Sequence, residues 1–177
     1  MKTNKNELRK TILIKRLNQS EKSITIKSQK IVNKIQNLKK YQSAKNILLY
    51  FPIKNEVNIL ALTKTKNKNF FLPIVKEKLL FYGKYDKECN LTLNKYQIPE
   101  PKKINKKKLD LIIVPAISFD KNKFRIGYGK GFYDKFLKEQ EALKIGICFD
   151  FQVTEKIEIE SFDEKCDIVI TEINTYK

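Results

Sequence analysis

Segments whose apolar residues recur at helical spacing alternate along this chain with short, continuous apolar runs. The first pattern predicts helices at residues 4–17, from Ser20 as N-cap to about residue 38, at residues 56–66 and at residues 129–140. The second pattern predicts buried strands, which are expected at residues 46–51, 70–75, 79–82, 109–114, 144–149 and 167–171. Residues 83–108 are polar and contain proline, and they predict a long loop with room for one short strand.

Strands that alternate with helices indicate an α/β fold with a mostly parallel central sheet. At 177 residues the simplest organisation is one domain that spans residues 1–177. Ligands of such sheets bind at the carboxyl ends of the strands. A loop at Glu56, a glycine-rich turn after Val114 and Asp163 could converge at that edge, although only tertiary packing can bring Asp163 there.

The glycine-rich turn is the most informative local feature, because three of the five glycines lie in the run RIGYGKGFYD at residues 125–134. A glycine turn between a strand and a helix directs backbone N–H groups at one point, which favours a phosphate. Arg125 and Lys130 add positive charge, and Asp134 could hold a metal ion beside the phosphates. The spacing is neither a Walker A loop nor the dinucleotide fingerprint. The alternative is a tight structural corner, in which Gly129 or Gly131 only relieves crowding.

The formal net charge of +17 raises the alternative of nucleic-acid binding. The lysines are spread along the chain, however, with one dense run at residues 102–108, which is typical of a solvated surface. Arginine occurs only at positions 9, 16 and 125, so these positions are informative, because a planar guanidinium does what lysine cannot. No specific nucleic-acid partner is expected, because neither an RNP-like motif nor a helix-turn-helix is present.

The chain has no histidine, which excludes His-based triads, histidine metal ligands and a histidine general base. Cys89, Cys148 and Cys166 are widely spaced and imply neither a disulfide framework nor a zinc site. Cys148 and Cys166 lie in apolar runs and are expected as small core residues. No signal peptide and no apolar run of membrane-spanning length is recognisable, so we expect a cytoplasmic protein without a membrane partner.

Motifs in the same order over almost the whole chain resemble the 5-formyltetrahydrofolate cyclo-ligase (5,10-methenyltetrahydrofolate synthetase) family. They are KNELR at residues 5–9, YFPIKNEV at 50–57, IPEP at 98–101, DLIIVPAISFD at 110–120, RIGYGKGFYD at 125–134 and FDEKCDIVIT at 162–171. The resemblance implies a single-domain, three-layer α/β/α sandwich of the sugar-isomerase and CoA-transferase type. Family members often carry tryptophan near residue 96, where this chain has Tyr96, and this departure puts the packing of the substrate in doubt.

The resemblance also implies an ATP- and Mg²⁺-dependent enzyme that acts on 5-formyltetrahydrofolate. The formyl oxygen attacks the γ-phosphate of ATP, N10 attacks the activated carbon, and 5,10-methenyltetrahydrofolate, ADP and phosphate result. A monomer is expected. The alternatives are another ATP- or sugar-phosphate-using enzyme on the same fold, a basic nucleic-acid-binding protein, and a non-catalytic binding module, against which the whole-chain match argues.

The site residues follow from matching motif to motif. The ATP-binding positions are Lys5, Asn6, Glu7, Leu8, Arg9, Arg125, Ile126, Gly127, Tyr128, Gly129, Lys130, Gly131, Phe132 and Tyr133. Arg125 and Lys130 are the catalytic pair that stabilises phosphoryl charge. The folate-binding positions are Phe51, Glu56, Tyr96 and Phe132, and the metal ligands are Asp134 and Asp163. Each has a simpler alternative: a solvated basic face for Lys5 and Arg9, a helix-end carboxylate for Glu56 or Asp134, aromatic packing for Tyr128, Phe132 or Tyr133, and a surface turn for Asp163.

Overall fold

A computed structural model describes residues 5–86 and 91–177, so Cys89 lies outside the described residues. The helices are α1 (Lys5–Leu17), α2 (Glu21–Gln36), α3 (Lys39–Ser43) and α4 (Phe132–Lys138). The strands are β1 (Asn46–Leu48), β2 (Asn69–Lys76), β3 (Leu79–Tyr85), β4 (Leu91–Leu93), β5 (Pro99–Pro101), β6 (Leu111–Pro115), β7 (Ser118–Asp120), β8 (Arg125–Ile126), β9 (Leu143–Ile147), β10 (Val153–Thr154), β11 (Ile168–Ile170) and β12 (Thr175–Tyr176).

A seven-stranded sheet in the described residues has the order β12-β11-β9-β6-β1-β2-β3. The five inner strands run parallel, and the two edge strands β12 and β3 are antiparallel to their neighbours. Five inner strands that share one direction place their carboxyl ends along one edge of the sheet. This arrangement confirms the predicted α/β class with a mostly parallel sheet.

Helices cover both faces of the sheet, because successive side chains of each strand point to opposite faces. In β6, Leu111 and Ile113 belong to the core cluster that contains residues of α2 and α3. Ile112 and Val114 belong to the other cluster, which includes Phe136 of α4. The three layers therefore follow from continuous apolar strands that are buried on two sides.

The first two helices lie where their apolar spacing predicts them. Ser20 is the N-cap of α2, and its hydroxyl accepts a hydrogen bond from the backbone N–H of Ser23 at 3.3 Å. The described residues contain no helix long and apolar enough to cross a membrane.

The prediction of a helix at residues 56–66 is wrong. Only Leu60–Lys64 is helical, and these residues form a 3-10 helix. Two side chains bind backbone N–H groups that a longer helix would use: the Ser28 hydroxyl accepts from Asn58, and the Asn58 carbonyl accepts from Leu60. The strand predicted at residues 46–51 is also shorter and ends at Leu48. Residues 49–59 therefore form an irregular segment that leaves the carboxyl end of β1.

The glycine-rich turn does not follow β6 directly, as the sequence predicted. The hairpin β7–β8 lies between them, and β7 also pairs with β10. Asp120 holds this insertion together, because its carboxylate accepts from the backbone N–H groups of Phe124 and Ile157 at 2.9 and 3.0 Å. Helix α4 begins at Phe132 rather than at residue 129, because Gly129 and Gly131 have φ values of +83° and +67°.

The region predicted as a long loop contains a hairpin instead. β4 pairs with β5, and β3 extends to Tyr85. The Glu100 carboxylate accepts from the backbone N–H of Val75 at 3.1 Å and from the Asn94 amide at 3.0 Å, which fastens the hairpin to β2. The proline-rich segment is therefore a strand tied to the sheet, and it carries Tyr96 at the hairpin turn.

Candidate active site

Helix α1 presents three basic side chains on one face, because Lys5, Arg9 and Arg16 stand at spacings of four and seven residues. The ammonium of Lys5 lies 3.0 Å from an Asp163 carboxylate oxygen and 3.3 Å from one of Glu160. Arg9 donates from Nε to the carbonyl of Gly127 at 2.8 Å. The helix thus joins the glycine-rich turn to the turn at residues 160–164.

The charge environment of Lys5 favours its protonated form. Burial would lower the pKa of Lys5, but the hydrogen bonds and negative charges of Asp163 and Glu160 outweigh this effect and raise the pKa above its usual value. The side chain is therefore a permanent cation at neutral pH and can interact with an anion.

Open space, rather than crowded packing, faces the glycine-rich turn. A methyl group added at Gly127 or Gly131 would meet no atom within 4 Å, and one added at Gly129 would meet only the Arg9 guanidinium, at 3.7 Å. Relief of crowding therefore does not explain these glycines. Positive φ explains Gly129 and Gly131, and at Gly127 the absent side chain leaves room for a ligand.

Arg125 is largely buried beside this turn, at 8% exposure. Its Nη2 lies 2.7 Å from Asp134 Oδ1, and its Nη1 donates to the carbonyl of Glu164 at 3.2 Å. The guanidinium also lies over the Tyr133 ring, 5.7 Å from its centroid. Arg125 therefore ties the first turn of α4 to the turn at residues 160–164.

The two predicted metal ligands are associated with this same 160–164 turn. Asp134 Oδ1 lies 3.4 Å from the backbone N–H of Glu164, and Asp163 accepts from the backbone N–H of Glu160 at 2.9 Å. Residues 5–86 and 91–177 contain no group of three or more His, Cys, Asp or Glu that could hold a metal ion. Two carboxylates without further protein ligands fit Mg²⁺, which normally completes its shell with phosphate oxygens and water.

A buried carboxylate lies close to the glycine-rich turn. Glu56 is 7% exposed, and its Oε2 accepts from the backbone N–H of Ile53 at 3.1 Å. Its Oε1 lies 3.7 Å from Arg16 Nη2 and accepts from the hydroxyl of Tyr128 at 3.3 Å. Burial raises the pKa of Glu56, while Arg16 acts in the opposite direction. Glu56 precedes the 3-10 turn and is not in a helix, so the alternative of a helix-end carboxylate is excluded.

Two of the predicted folate-binding aromatic residues, Tyr96 and Phe132, form a second, more exposed group, and the third, Phe51, lies apart from them in the contacts described. The rings of Tyr96 and Phe132 are 6.4 Å apart and tilted by 52°. Tyr96 is 42% exposed, whereas Phe51 packs, half-buried, against the core cluster that contains Tyr50. An edge of the Tyr96–Phe132 pair is therefore available to a flat ligand.

The remaining predicted residues are distributed around the same turn. Lys130 and Glu7 are exposed, Leu8 is half-buried, and Ile126 is buried in β8. Asn6 accepts from Arg9 Nη1 at 2.6 Å. The structure thus brings the N-terminal helix, the glycine-rich turn, the two aspartates and Glu56 into one region. Tyr128 is part of the turn, and its hydroxyl contacts Glu56.

Sequence reasoning assigned no role to Arg16, which is the most buried basic residue of this region. Its side chain contacts Glu56 and Tyr128. The available signal was the presence of an arginine in a lysine-rich chain, because the planar guanidinium binds from several nitrogens at fixed angles, as lysine cannot.

Three comparisons with known proteins indicate the same enzyme family. The model of the 5-formyltetrahydrofolate cyclo-ligase family matches residues 1–172. A 5-formyltetrahydrofolate cyclo-ligase of Mycoplasma genitalium is 38% identical over 173 residues, which cover 94% of this chain and 96% of the relative. The NMR structure of Aquifex aeolicus 5,10-methenyltetrahydrofolate synthetase superposes with a TM-score of 0.88 at 34% identity, over 98% of this chain and 92% of that chain.

A second solved structure, the 5,10-methenyltetrahydrofolate synthetase of Mycoplasma pneumoniae, superposes with a TM-score of 0.78 at 28% identity. It matches over 96% of this chain and 99% of its own. Sequence motifs, the family match and the fold therefore lead to one conclusion. This chain belongs to the 5-formyltetrahydrofolate cyclo-ligase family of enzymes, which confirms the resemblance that its motifs carry.

Proposed function

We propose that this enzyme converts 5-formyltetrahydrofolate to 5,10-methenyltetrahydrofolate with ATP and Mg²⁺, and releases ADP and phosphate. The observation that supports this most directly is the position of Tyr128. Its backbone belongs to the open glycine-rich turn, and its hydroxyl contacts the buried carboxylate of Glu56. A phosphate-binding turn and a carboxylate for a polar heterocycle thus lie side by side, as a reaction between ATP and a folate requires.

Glu56 is the proposed anchor of the pterin ring. A pterin presents a ring N–H and an amino group side by side, and a carboxylate can accept from both. Within the described residues, each oxygen of this carboxylate has one protein hydrogen-bond donor and can accept further hydrogen bonds from a ligand. Tyr96 and Phe132 would flank the ring and take the place of the tryptophan that relatives often have.

Lys5, Arg9, Arg125 and Lys130 are the proposed cations for the triphosphate. Two of them are now paired with Asp163 and Asp134. Phosphate oxygens can replace these carboxylates as partners of Lys5 and Arg125, which leaves both aspartates for the metal. Bound Mg²⁺ would neutralise charge on the phosphates.

The proposed reaction needs no nucleophile from the protein. The formyl oxygen attacks the γ-phosphorus, ADP leaves, and a phosphorylated formyl intermediate forms. N10 then attacks the formyl carbon and loses its proton, the bond between that carbon and the former formyl oxygen breaks, and this oxygen leaves as part of the inorganic phosphate. Arg125, held by Asp134 and the Glu164 carbonyl, and the exposed Lys130 stabilise the charge of the transferring phosphoryl group. The absence of histidine agrees with this route. Burial raises the pKa of the Cys148 and Cys166 thiols, so neither is a ready nucleophile, which also agrees with it.

The experiment is an absorbance assay for the methenyl product, with 5-formyltetrahydrofolate, ATP and Mg²⁺ present together or each omitted in turn. Product is expected only in the complete mixture. Product without ATP would contradict the proposal, as would no product in the complete mixture. ATP binding by calorimetry without any response to folate would favour another ATP-using enzyme on this fold.

We further propose that the enzyme is a cytoplasmic monomer and that residues 1–177 form one domain. Sedimentation at several protein concentrations tests the monomer. A mass of two chains at the concentration of the assay would contradict it.

A further inference from the structure

The side chain of Arg16 connects three segments that are far apart in sequence. It is 1% exposed and lies near the end of α1. Its Nε donates to the carbonyl of Lys54 at 2.9 Å, its Nη1 to the carbonyl of Ala116 at 3.2 Å, and its Nη2 to the hydroxyl of Tyr128 at 2.6 Å. The same Nη2 lies 3.7 Å from Glu56 Oε1. No ligand can reach this side chain, so its effect must pass through its partners.

Only an arginine can make these contacts together. The guanidinium has five N–H donors in a fixed plane, whereas a lysine has three donors on one atom. A buried charge is also costly unless it is paired and hydrogen-bonded. Among the described residues, no buried side-chain nitrogen or oxygen lacks a hydrogen-bond partner, so the network around Arg16 is complete.

The first segment that Arg16 holds is strained. Lys54 and Asn55 have φ values of +48° and +58°, which are unfavourable for residues with a side chain. Arg16 binds the carbonyl of Lys54, and the Asn55 amide donates to the carbonyls of Arg16 and Leu17 at 3.4 and 3.2 Å. The end of α1 therefore supports the backbone conformation that orients Glu56.

The second segment is the glycine-rich turn, which Arg16 reaches through Tyr128. The same helix carries Arg9, which binds the carbonyl of Gly127. Helix α1 thus contacts the turn at two successive residues, and through Arg16 it also contacts Glu56. The geometry joins the proposed folate anchor and the proposed nucleotide turn through one buried guanidinium.

We propose that Arg16 is a positioning residue that holds Glu56 in register with the glycine-rich turn, so that its loss weakens folate binding and uncouples it from ATP binding. This inference rests on the proposed function. Arg16 touches neither ligand, and it acts on the folate through Glu56 and on the nucleotide through Tyr128.

A pH profile distinguishes this role from a purely structural one. The titratable groups that face Glu56 are Arg16 from α1, Lys54 from its own loop, Tyr128 from the glycine-rich turn, Tyr133 from α4 and Tyr50 after β1. Burial raises the pKa of Glu56, and Arg16 opposes this more strongly than any other group. When the guanidinium no longer lies beside Glu56, the carboxylate would be protonated at higher pH and would then lose an acceptor for the pterin. A lysine at position 16 keeps the charge but not the fork that binds Lys54, Tyr128 and Glu56 together, so its ammonium is not held beside Glu56.

The test compares Arg16→Lys with the wild-type enzyme. We expect the KM for 5-formyltetrahydrofolate to rise by about tenfold or more, in line with the loss of charge-assisted hydrogen bonds, with a smaller effect on kcat. The acidic limb of kcat/KM for the folate should shift to higher pH. Calorimetry should show that a non-hydrolysable ATP analogue improves folate affinity less in the variant than in the wild type.

The matched control is Lys34→Met. Lys34 also holds a loop through backbone carbonyls, those of Thr171, Ile173 and Asn174, at 2.8 to 3.4 Å. Its loss should lower thermal stability but leave the folate KM and the pH profile unchanged. An equal change in KM in both variants would show that Arg16 is only structural.

A double variant tests whether Arg16 acts through Glu56. If it does, Arg16→Lys should have little further effect on folate affinity when Glu56→Gln is already present. If Arg16→Lys fails to fold, Tyr128→Phe takes its place, because it removes only the hydroxyl between Arg16 and Glu56 from a residue that is 40% exposed. It should shift the acidic limb in the same direction.

The two proposals fail in different ways. Wild-type enzyme without turnover overturns the proposed function and, with it, this inference. Active wild-type enzyme together with unchanged folate KM and pH profile in Arg16→Lys, or in Tyr128→Phe, overturns the role of Arg16 alone.

Discussion

The guanidinium of Arg125 and the carboxylate of Asp134 lie 2.7 Å apart, although the motifs assign one to the nucleotide and the other to the metal. Lys5 and Asp163 form a second pair of the same kind at 3.0 Å. In the proposed function a Mg²⁺–nucleotide complex would supply both an anion and a cation, so each member of the two pairs would gain a new partner on binding. In the ligand-free protein the two ion pairs join α1 to the turn at residues 160–164 and β8 to α4.

Arg125→Lys should lower kcat/KM for ATP by about thirtyfold or more, which corresponds to about 2 kcal/mol of transition-state stabilisation. Lysine keeps the charge but lacks the planar fork with which two different nitrogens of Arg125 bind Asp134 and the Glu164 carbonyl. Steady-state kinetics measures the effect, and thermal unfolding shows whether the variant is folded. Near-normal activity would mean that Arg125 contributes charge alone.

Asp134→Asn should raise the Mg²⁺ concentration needed for half-maximal activity and leave the fold intact. The amide preserves the shape but removes the charge that a hard cation prefers. The control is Asp110→Asn, because the Asp110 carboxylate accepts from the backbone N–H groups of Lys45 and Asn46 at the start of β1, away from the proposed metal ligands. Superimposable metal titrations for Asp134→Asn and wild type would make Asp134 an ordinary partner of Arg125.

Lys5→Met should raise the KM for ATP by about tenfold, since it removes a cation that the triphosphate would bind. Lys10→Met is the matched control, because Lys10 is exposed on the same helix. Both changes remove one positive charge from α1. A difference in KM for ATP between the two variants would therefore come from the position of the charge and not from the net charge. Equal effects would indicate that α1 attracts ATP only through its overall charge.

The stability of the folded protein should depend on pH through Glu56. Its pKa in the folded state is above its ordinary value of 4.5, so folding favours the protonated form. The stabilisation from protonated Glu56 is present below about 4.5 and is lost as the pH rises through the folded-state pKa. The free energy of unfolding of wild type minus that of Glu56→Gln should therefore fall as the pH rises from about 4.5 through the folded-state pKa. A difference that rises over this range would show that Arg16 and Tyr128 outweigh burial.

Nucleic-acid binding should be weak, independent of sequence and abolished near physiological salt, because spread surface lysines bind phosphates only through screened charge. Affinity for ATP with Mg²⁺ should fall less with salt, since part of the proposed contact would be with backbone N–H groups of the glycine-rich turn. Titrations at low and near-physiological ionic strength compare the two. Tight nucleic-acid binding that survives salt, with no ATP binding, would make the lysines the functional feature.

The sequence alone determined the layers and the family of this protein. Continuous apolar runs such as residues 111–114 are buried on both faces when they pair, so they predict a covered, mostly parallel sheet without knowledge of strand order. The glycines at 129 and 131 were likewise readable, because positive φ is a property of the local backbone. Motif order from residue 5 to residue 171 was sufficient to predict the family.

Tertiary structure decided which partner each polar group has. The helix predicted at residues 56–66 fails because Ser28, on a different helix, binds a backbone N–H of that segment. Arg125 faces Asp134, and Arg16 reaches Glu56, across sequence separations that no local pattern encodes. Apolar periodicity predicts only that a position is buried, and any apolar neighbour can bury it. A hydrogen bond or an ion pair requires one particular group at one distance and angle, and only the folded chain provides it.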